Sequence, residues 1–148
     1  MKHSEIHPRL SSRRVAATLR RARDRLPPFH LVVTDNAMVF TMDYTAHPER
    51  KTTFECTVEA LGLQHVRIPR RSPWRNGIIE RSNRTDNAEC FRRQEFTSSE
   101  ERRYMHWLWE MEYNTHRSRR GLDGATPFAV FRRNYPFHPA SMGPTPHS

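Results

Sequence analysis

Only two stretches of this 148-residue chain have the pattern of a β-strand, and they limit what it can build. His30-Leu31-Val32-Val33-Thr34 is short, apolar and rich in β-branched residues, which predicts a buried strand ending at Asp35. Gln64 to Ile68 carries Val66 and Ile68 in alternation and closes at Pro69, which predicts a second. Between them Phe54, Val58 and Leu61 fall at helical spacing over about three turns, with Gly62 as the C-terminal stop. Strand, helix, strand predicts a right-handed βαβ unit. A two-stranded sheet is rarely stable by itself in water. Helices must therefore cover it, and strands from elsewhere or another molecule must complete it.

The helices come from the rest of the chain. Val15, Leu19, Ala22 and Leu26 recur at helical spacing behind Ser11 or Ser12, and Pro27-Pro28 ends that run. A segment from Trp74 or Arg75 to about Phe91 lacks proline and predicts a helix with a poor apolar stripe. Ser98 or Ser99, followed by Glu100 and Glu101, predicts a helix start. That helix would pack Tyr104, Trp107, Leu108 and Met111 into the core. Gly121 and Gly124 break the chain before a short helix at Pro127 to Arg133. The Pro-rich segment 135–148 has no periodicity and reads as disordered.

Charge narrows the function. The formal net charge is +9, and of the 25 basic residues only Lys2 and Lys51 are lysine. The other 23 are arginines, whose planar fork pairs with phosphate in bidentate fashion. A polyanion is the natural partner. No run approaches the roughly 20 apolar residues of a membrane span, and the start lacks the apolar stretch of a secretory signal, so a soluble cytoplasmic chain is expected. Cys56 and Cys90 form no C-x-x-C pair, which argues against a disulfide framework or a zinc finger. Asn83-Arg84-Thr85 has the form of a glycosylation sequon, without the export that would make it one.

Neither common Gly-rich phosphate loop nor an H-E-x-x-H pattern is present, so nucleotide hydrolysis and zinc proteolysis are excluded. What remains is Asp35 at a strand end and Glu80 on a basic helix. Between Arg67 and Thr85 the basic residues are Arg67, Arg70, Arg71, Arg75, Arg81 and Arg84, and Glu80 is the only carboxylate. A lone carboxylate among arginines also fits a weak surface ion pair. The functional alternative pairs Glu80 with Asp35, since ligands of α/β sheets gather beyond the carboxyl ends of strands. Two hard oxygen donors suit Mg²⁺, which is bound by few carboxylates together with water and substrate phosphate. Such an ion polarises a phosphodiester and activates a water or a DNA 3′-hydroxyl, and a pair of ions holds both attacking and leaving oxygens.

Three further stretches carry a resemblance. Thr34-Asp35-Asn36-Ala37-Met38-Val39-Phe40, then Leu61-Gly62-Leu63-Gln64-His65, then the run from Ser72-Pro73-Trp74-Arg75-Asn76-Gly77 through Glu80 to Thr85 resemble the integrase core of bacterial insertion-sequence transposases and retroviral-type integrases. Tyr113-Asn114, His116-Arg117, Gly121-Leu122, Gly124 and Thr126-Pro127 extend it, so that it runs from about residue 12 to residue 133. The resemblance implies an RNase H-like α/β fold, here partial, with about two strands and several flanking helices. It implies a DNA-acting protein of integration and transposition in which two aspartates and a glutamate bind Mg²⁺ or Mn²⁺. By position Asp35 resembles the second aspartate and Glu80 the glutamate. Arg70, Arg71, Trp74, Arg75, Asn76, Arg81 and Arg84 would form the DNA-facing surface, with Asn76 one helical turn before Glu80. Trp74 would offer a stacking surface, or else pack over the helix start.

The family's first aspartate has no counterpart, because residues 1–11 hold Glu5 as their sole acid and no strand pattern. Residues 12–134 therefore read as an N-terminally truncated core that is inactive alone, and the exposed edge at His30 to Thr34 is expected to favour self-association. The partners expected are transposon-end and target DNA and a second copy or complementing transposase chain, in a bacterial nucleoid-associated setting. The Asp35-to-Glu80 interval is longer than is usual in the family, the extra length lying in Thr41 to Lys51, and Ala37 replaces a common glycine. A non-catalytic nucleic-acid-binding module and a decayed transposase remnant fit the same residues.

Overall fold

The computed structural model describes residues 1–7, 9–69, 77–92 and 95–142. The elements in order are α1 (Ser12–Arg25), β1 (Leu31–Thr34), α2 (Thr53–Ala60), β2 (Gln64–Arg67), α3 (Gly77–Asp86), a π-turn (Asn87–Phe91), α4 (Ser99–Thr115), a 3-10 turn (Arg120–Leu122), α5 (Pro127–Asn134) and a 3-10 turn (Pro139–Met142). They fall into two compact units. One, the sheet unit, comprises His7–Arg20 and Phe29–Arg93; the other, the helical unit, comprises Met1–Ile6, Arg21–Pro28 and Gln94–Ser148. No helix among the described residues is long and apolar enough to cross a membrane.

In the sheet unit β1 and β2 pair in parallel, with Val32 beside His65 and Val33 beside Val66. The βαβ order expected from the apolar runs is present, with α2 against β2. Leu19, Phe54, Val58 and Leu63 are buried at its centre, and Val15, Phe29, Val32, Phe40 and Leu61 pack around them. The alternation of side chains along a strand sends Val32 toward this core and Leu31 and Val33 to the opposite face. There Leu31 and Val33 remain 48% and 44% exposed, and Val66, level with Val33, 40%. The expectation of a buried strand is thus corrected to a strand covered on one face.

Helix α2 is shorter than the apolar spacing suggested, and its start is set by a capping box. Thr52 Oγ1 accepts from the Glu55 N–H at 3.0 Å, and Glu55 Oε2 accepts from the Thr52 N–H at 2.8 Å. Two of the backbone donors that a helix start leaves without partners are satisfied in this way. Thr52→Ala should cost about 1 kcal/mol, read as a lowered urea midpoint with unchanged m-value. At the other end Gly62 takes φ +63°, the left-handed stop that glycine makes easily.

The helical unit departs furthest from expectation. Ser98 caps α4 by accepting from the Glu101 N–H, as its sequence indicated. The buried residues of α4 are nevertheless His106, Glu110 and Asn114, while Tyr104 is 58% exposed and Trp107, Leu108 and Met111 are half-buried. The expected core stripe is therefore displaced onto a polar one. Its partner is the N-terminal segment, which runs beside it. Asn114 exchanges two hydrogen bonds of 2.8 Å with the Lys2 backbone, and Glu110 accepts from the Ser4 N–H and hydroxyl at 2.6 and 2.8 Å. Buried polar groups need such partners. Thr126 caps α5, with Pro127 in its first turn. Residues 139–142, within the segment expected to lack structure, form a 3-10 turn in which the Ser141 hydroxyl donates to the Tyr135 carbonyl.

Candidate functional site

Asp35 follows β1 immediately and is exposed. Its Oδ1 accepts from the Ala37 N–H at 2.9 Å, which folds the backbone into an Asx turn. Ala37 does not adopt a positive φ, so the turn is made without the left-handed conformation a glycine would supply. The residues on either side hold Asp35 in place. Thr34 Oγ1 lies 2.9 Å from the Asp35 carbonyl oxygen, to which it donates, and 2.8 Å from His65 Nε2 on the neighbouring strand. Asn36 Nδ2 donates to the Ile68 carbonyl at 2.7 Å, and the Ile68 N–H donates to the Thr34 carbonyl at 2.8 Å. Burial lowers the pKa of His65, Arg67 lowers it further, and Glu55 opposes both. A neutral ring is thereby favoured next to the Thr34 hydroxyl.

The polar 41–51 loop is tied to the same end of the sheet. Arg67 on β2 pairs with Asp43 and also donates to the hydroxyl of Thr41, which is fully buried. Thr34, Asn36, His65 and Arg67 were not singled out as site residues from the sequence. The available signal was the Thr34-Asp35-Asn36 triplet itself, whose outer two members fix the turn that carries the middle one.

Glu80 lies in the first turn of α3, where a carboxylate is favoured by the helix dipole, and it is exposed along with Arg81 and Arg84. Glu80 and Arg84 stand four residues apart, the spacing of a helix-surface ion pair. Among the described residues, however, Glu80 pairs with no basic side chain, and neither Arg81 nor Arg84 pairs with an acidic one. Asp35 and Glu80 belong to the same unit, and no hydrogen bond joins them. Arg70, Arg71, Trp74, Arg75 and Asn76 lie outside the described residues.

Among the described residues no three His, Cys, Asp or Glu side chains converge as a metal-holding group. Asp35 and Glu80 themselves are hard oxygen donors of the kind that Mg²⁺ and Mn²⁺ take, and that ion is normally held by one or two carboxylates with water completing its shell. The donor chemistry of each therefore fits a divalent ion. Glu5, the one acid before α1, is engaged elsewhere, accepting two hydrogen bonds from the Arg21 guanidinium and one contact from His3.

Comparison with known proteins bears on the same residues. The integrase core domain family matches residues 61–127, a span that contains β2, Glu80 on α3 and the whole of α4, and begins after Asp35. Among solved structures, the catalytic core domain of BIV integrase superposes with a TM-score of 0.62 at 20% identity, over 89% of this chain and 78% of that one. No curated protein matches the chain. Residues 61–127 are thus similar to an integrase core domain, and the parallel strand pair with its flanking helices has the fold of that retroviral catalytic core.

Proposed function

We propose that the protein acts on DNA in integration or transposition, with Asp35 and Glu80 as ligands of a catalytic Mg²⁺ or Mn²⁺. The observation that carries this is the integrase-core match across Glu80, in a fold that holds Asp35 in a clamped turn at the carboxyl end of a parallel strand. When bound, the ion would polarise the scissile phosphodiester and favour the deprotonated form of the attacking hydroxyl.

The chain's own residues supply position and charge. Asp35 holds one carboxylate oxygen in the Asx turn, while Thr34 and Asn36 fix the backbone on either side. Glu80 extends the donor set from the first turn of α3, and Arg81 and Arg84 bring exposed guanidinium groups to the same helix for DNA phosphates. Arg70, Arg71, Trp74, Arg75 and Asn76, outside the described residues, would serve DNA binding on the same reading.

The test is retention of labelled duplex DNA across a salt series. The logarithm of the binding constant should fall linearly with the logarithm of salt concentration. Arg81→Ala and Arg84→Ala should each flatten the slope by about one ion per lost phosphate contact. Wild-type protein that retains no DNA at low salt overturns the proposal. A non-catalytic nucleic-acid-binding module is the second reading, favoured because no three His, Cys, Asp or Glu side chains converge among the described residues.

A further inference from the structure

Within the helical unit, residues 2–5 lie along the buried polar stripe of α4 and are fastened there almost wholly by polar groups. Lys2 is held by Asn114 and Ser4 by Glu110, and the Ser4 hydroxyl stands 3.2 Å from His106 Nε2. His3 sits between two carboxylates, with Nε2 3.0 Å from Glu5 Oε1 and Nδ1 3.5 Å from Glu110 Oε1, and its side chain is almost fully buried. Glu5 in turn receives the Arg21 guanidinium from α1 in bidentate fashion. The segment also walls a cavity of about 260 Å³, whose apolar lining includes Leu26, Trp107, Met111 and Phe128.

We infer that residues 2–5 are a proton-controlled strap, docked on α4 while His3 is an imidazolium between Glu5 and Glu110 and released when the ring is neutral. Charge balance in a buried place separates the two states. Glu110 facing an imidazolium is compensated; facing a neutral ring it keeps the Ser4 hydrogen bonds but loses its counter-charge, since the Arg21 guanidinium reaches Glu5. Release would leave Glu110 without the Ser4 donors, and would remove one wall of the cavity.

The direction of the effect follows from the ring. Burial opposes its charged form, but the hydrogen bonds and charges of Glu110 and Glu5 outweigh burial and raise its pKa from 6.5 to about 8. Glu110 is also opposed by burial, and its bonds to His3 and Ser4 hold it below the ordinary carboxylate value. A base whose docked pKa is raised contributes its stabilisation in full below pH 6.5, the undocked value, and loses it as pH rises through about 8. That shift corresponds to a docking equilibrium weakened by roughly 30-fold across the window. The other charged groups around the strap are Arg21, His106, Lys2, the Met1 amine, Asp24 and Arg25. Arg21 is held more firmly charged by Glu5. The Met1 amine has its pKa lowered by burial and titrates in a neighbouring range, so a His3 variant is needed to assign the step.

The experiment is a titration of the isotope-labelled full chain from acid to alkaline pH, following the His3 ring, the Ser4 amide and the Trp109 indole by NMR. Trp109 reports on the strap because the Lys2 ammonium lies 4.5 Å above its ring. A midpoint near 8 shared by all three signals, with Ser4 and Trp109 moving to undocked positions, is the expected result. In His3→Gln the step should vanish from Ser4 and Trp109 while the remaining spectrum keeps its dispersion; Glu110→Gln should lower the His3 midpoint, and serves alone if His3→Gln does not fold. A His3 midpoint near 6.5, or a His3 titration that leaves Ser4 and Trp109 unmoved, overturns the proposal.

Discussion

In the presence of a complementing transposase chain, replacing either carboxylate, as Asp35→Asn or Glu80→Gln, should reduce Mg²⁺-dependent DNA strand cleavage and joining by on the order of 10³-fold, since the charge stabilisation a metal supplies is worth several kcal/mol. Both positions are exposed, and neither lies in the buried core, so the fold should tolerate the changes. Asparagine can still accept the Ala37 N–H that Asp35 now accepts, which preserves the turn while removing the charge. DNA retention should stay close to wild type, because the arginines proposed to pair with phosphate are untouched. A second readout does not depend on turnover. Mn²⁺ should broaden NMR signals near Asp35 and Glu80 in the wild-type protein, and each variant should require at least about tenfold more Mn²⁺ for the same broadening. Salt-sensitive DNA retention with no Mn²⁺ response at either residue would instead support the non-catalytic module.

Features written in short, local patterns were legible in the sequence. Ser98 and the acids behind it do cap α4, Gly62 does end α2, and the two β-branched runs do pair in parallel around a helix. These depend on contacts a few residues apart, for which local chemistry decides. Burial was less legible because it depends on what arrives from far along the chain. Leu31 and Val33 form an apolar run, yet one face of their strand lacks cover. On α4 the apolar residues promised the core, but the buried stripe is His106, Glu110 and Asn114, whose i, i+4, i+8 spacing was visible and whose partner was not. Those side chains are buried because Lys2 and Ser4, more than a hundred residues away, share hydrogen bonds with them. For the candidate site, Asp35 and Glu80 were visible as acids in the right company. The clamp on Asp35 was not, because it runs through Asn36 to Ile68 and through Thr34 to His65, across the strand pair.

Phe54→Ala should unfold the sheet unit, or bring it close to unfolding, at ordinary temperature. Phe54 is 3% exposed, and its ring meets Phe40 edge-on at a centroid distance of 5.0 Å and His65 at 5.4 Å. It stands beside Val58, Leu19 and Leu63 in a core with few other fully buried apolar side chains. Removing a buried phenyl ring costs about 3–5 kcal/mol, through lost transfer energy and the cavity left behind. A whole domain has only about 5–15 kcal/mol of stability to lose, and this chain, at 35% hydrophobic residues, has a thin core from which to supply it. The Phe54 N–H also donates to Ser12 Oγ at 2.8 Å, tying α2 to α1, and alanine retains that bond. The loss should therefore report the ring alone. In a circular-dichroism melt the midpoint should fall by roughly 12 °C or more, and Phe54→Leu should recover most of it because it keeps much of the buried volume. Since the same packing supports β2 and hence the Ile68 carbonyl that Asn36 grips, the proposed DNA retention should be lost at the temperature where the alanine variant melts, with Asp35 and Glu80 both intact.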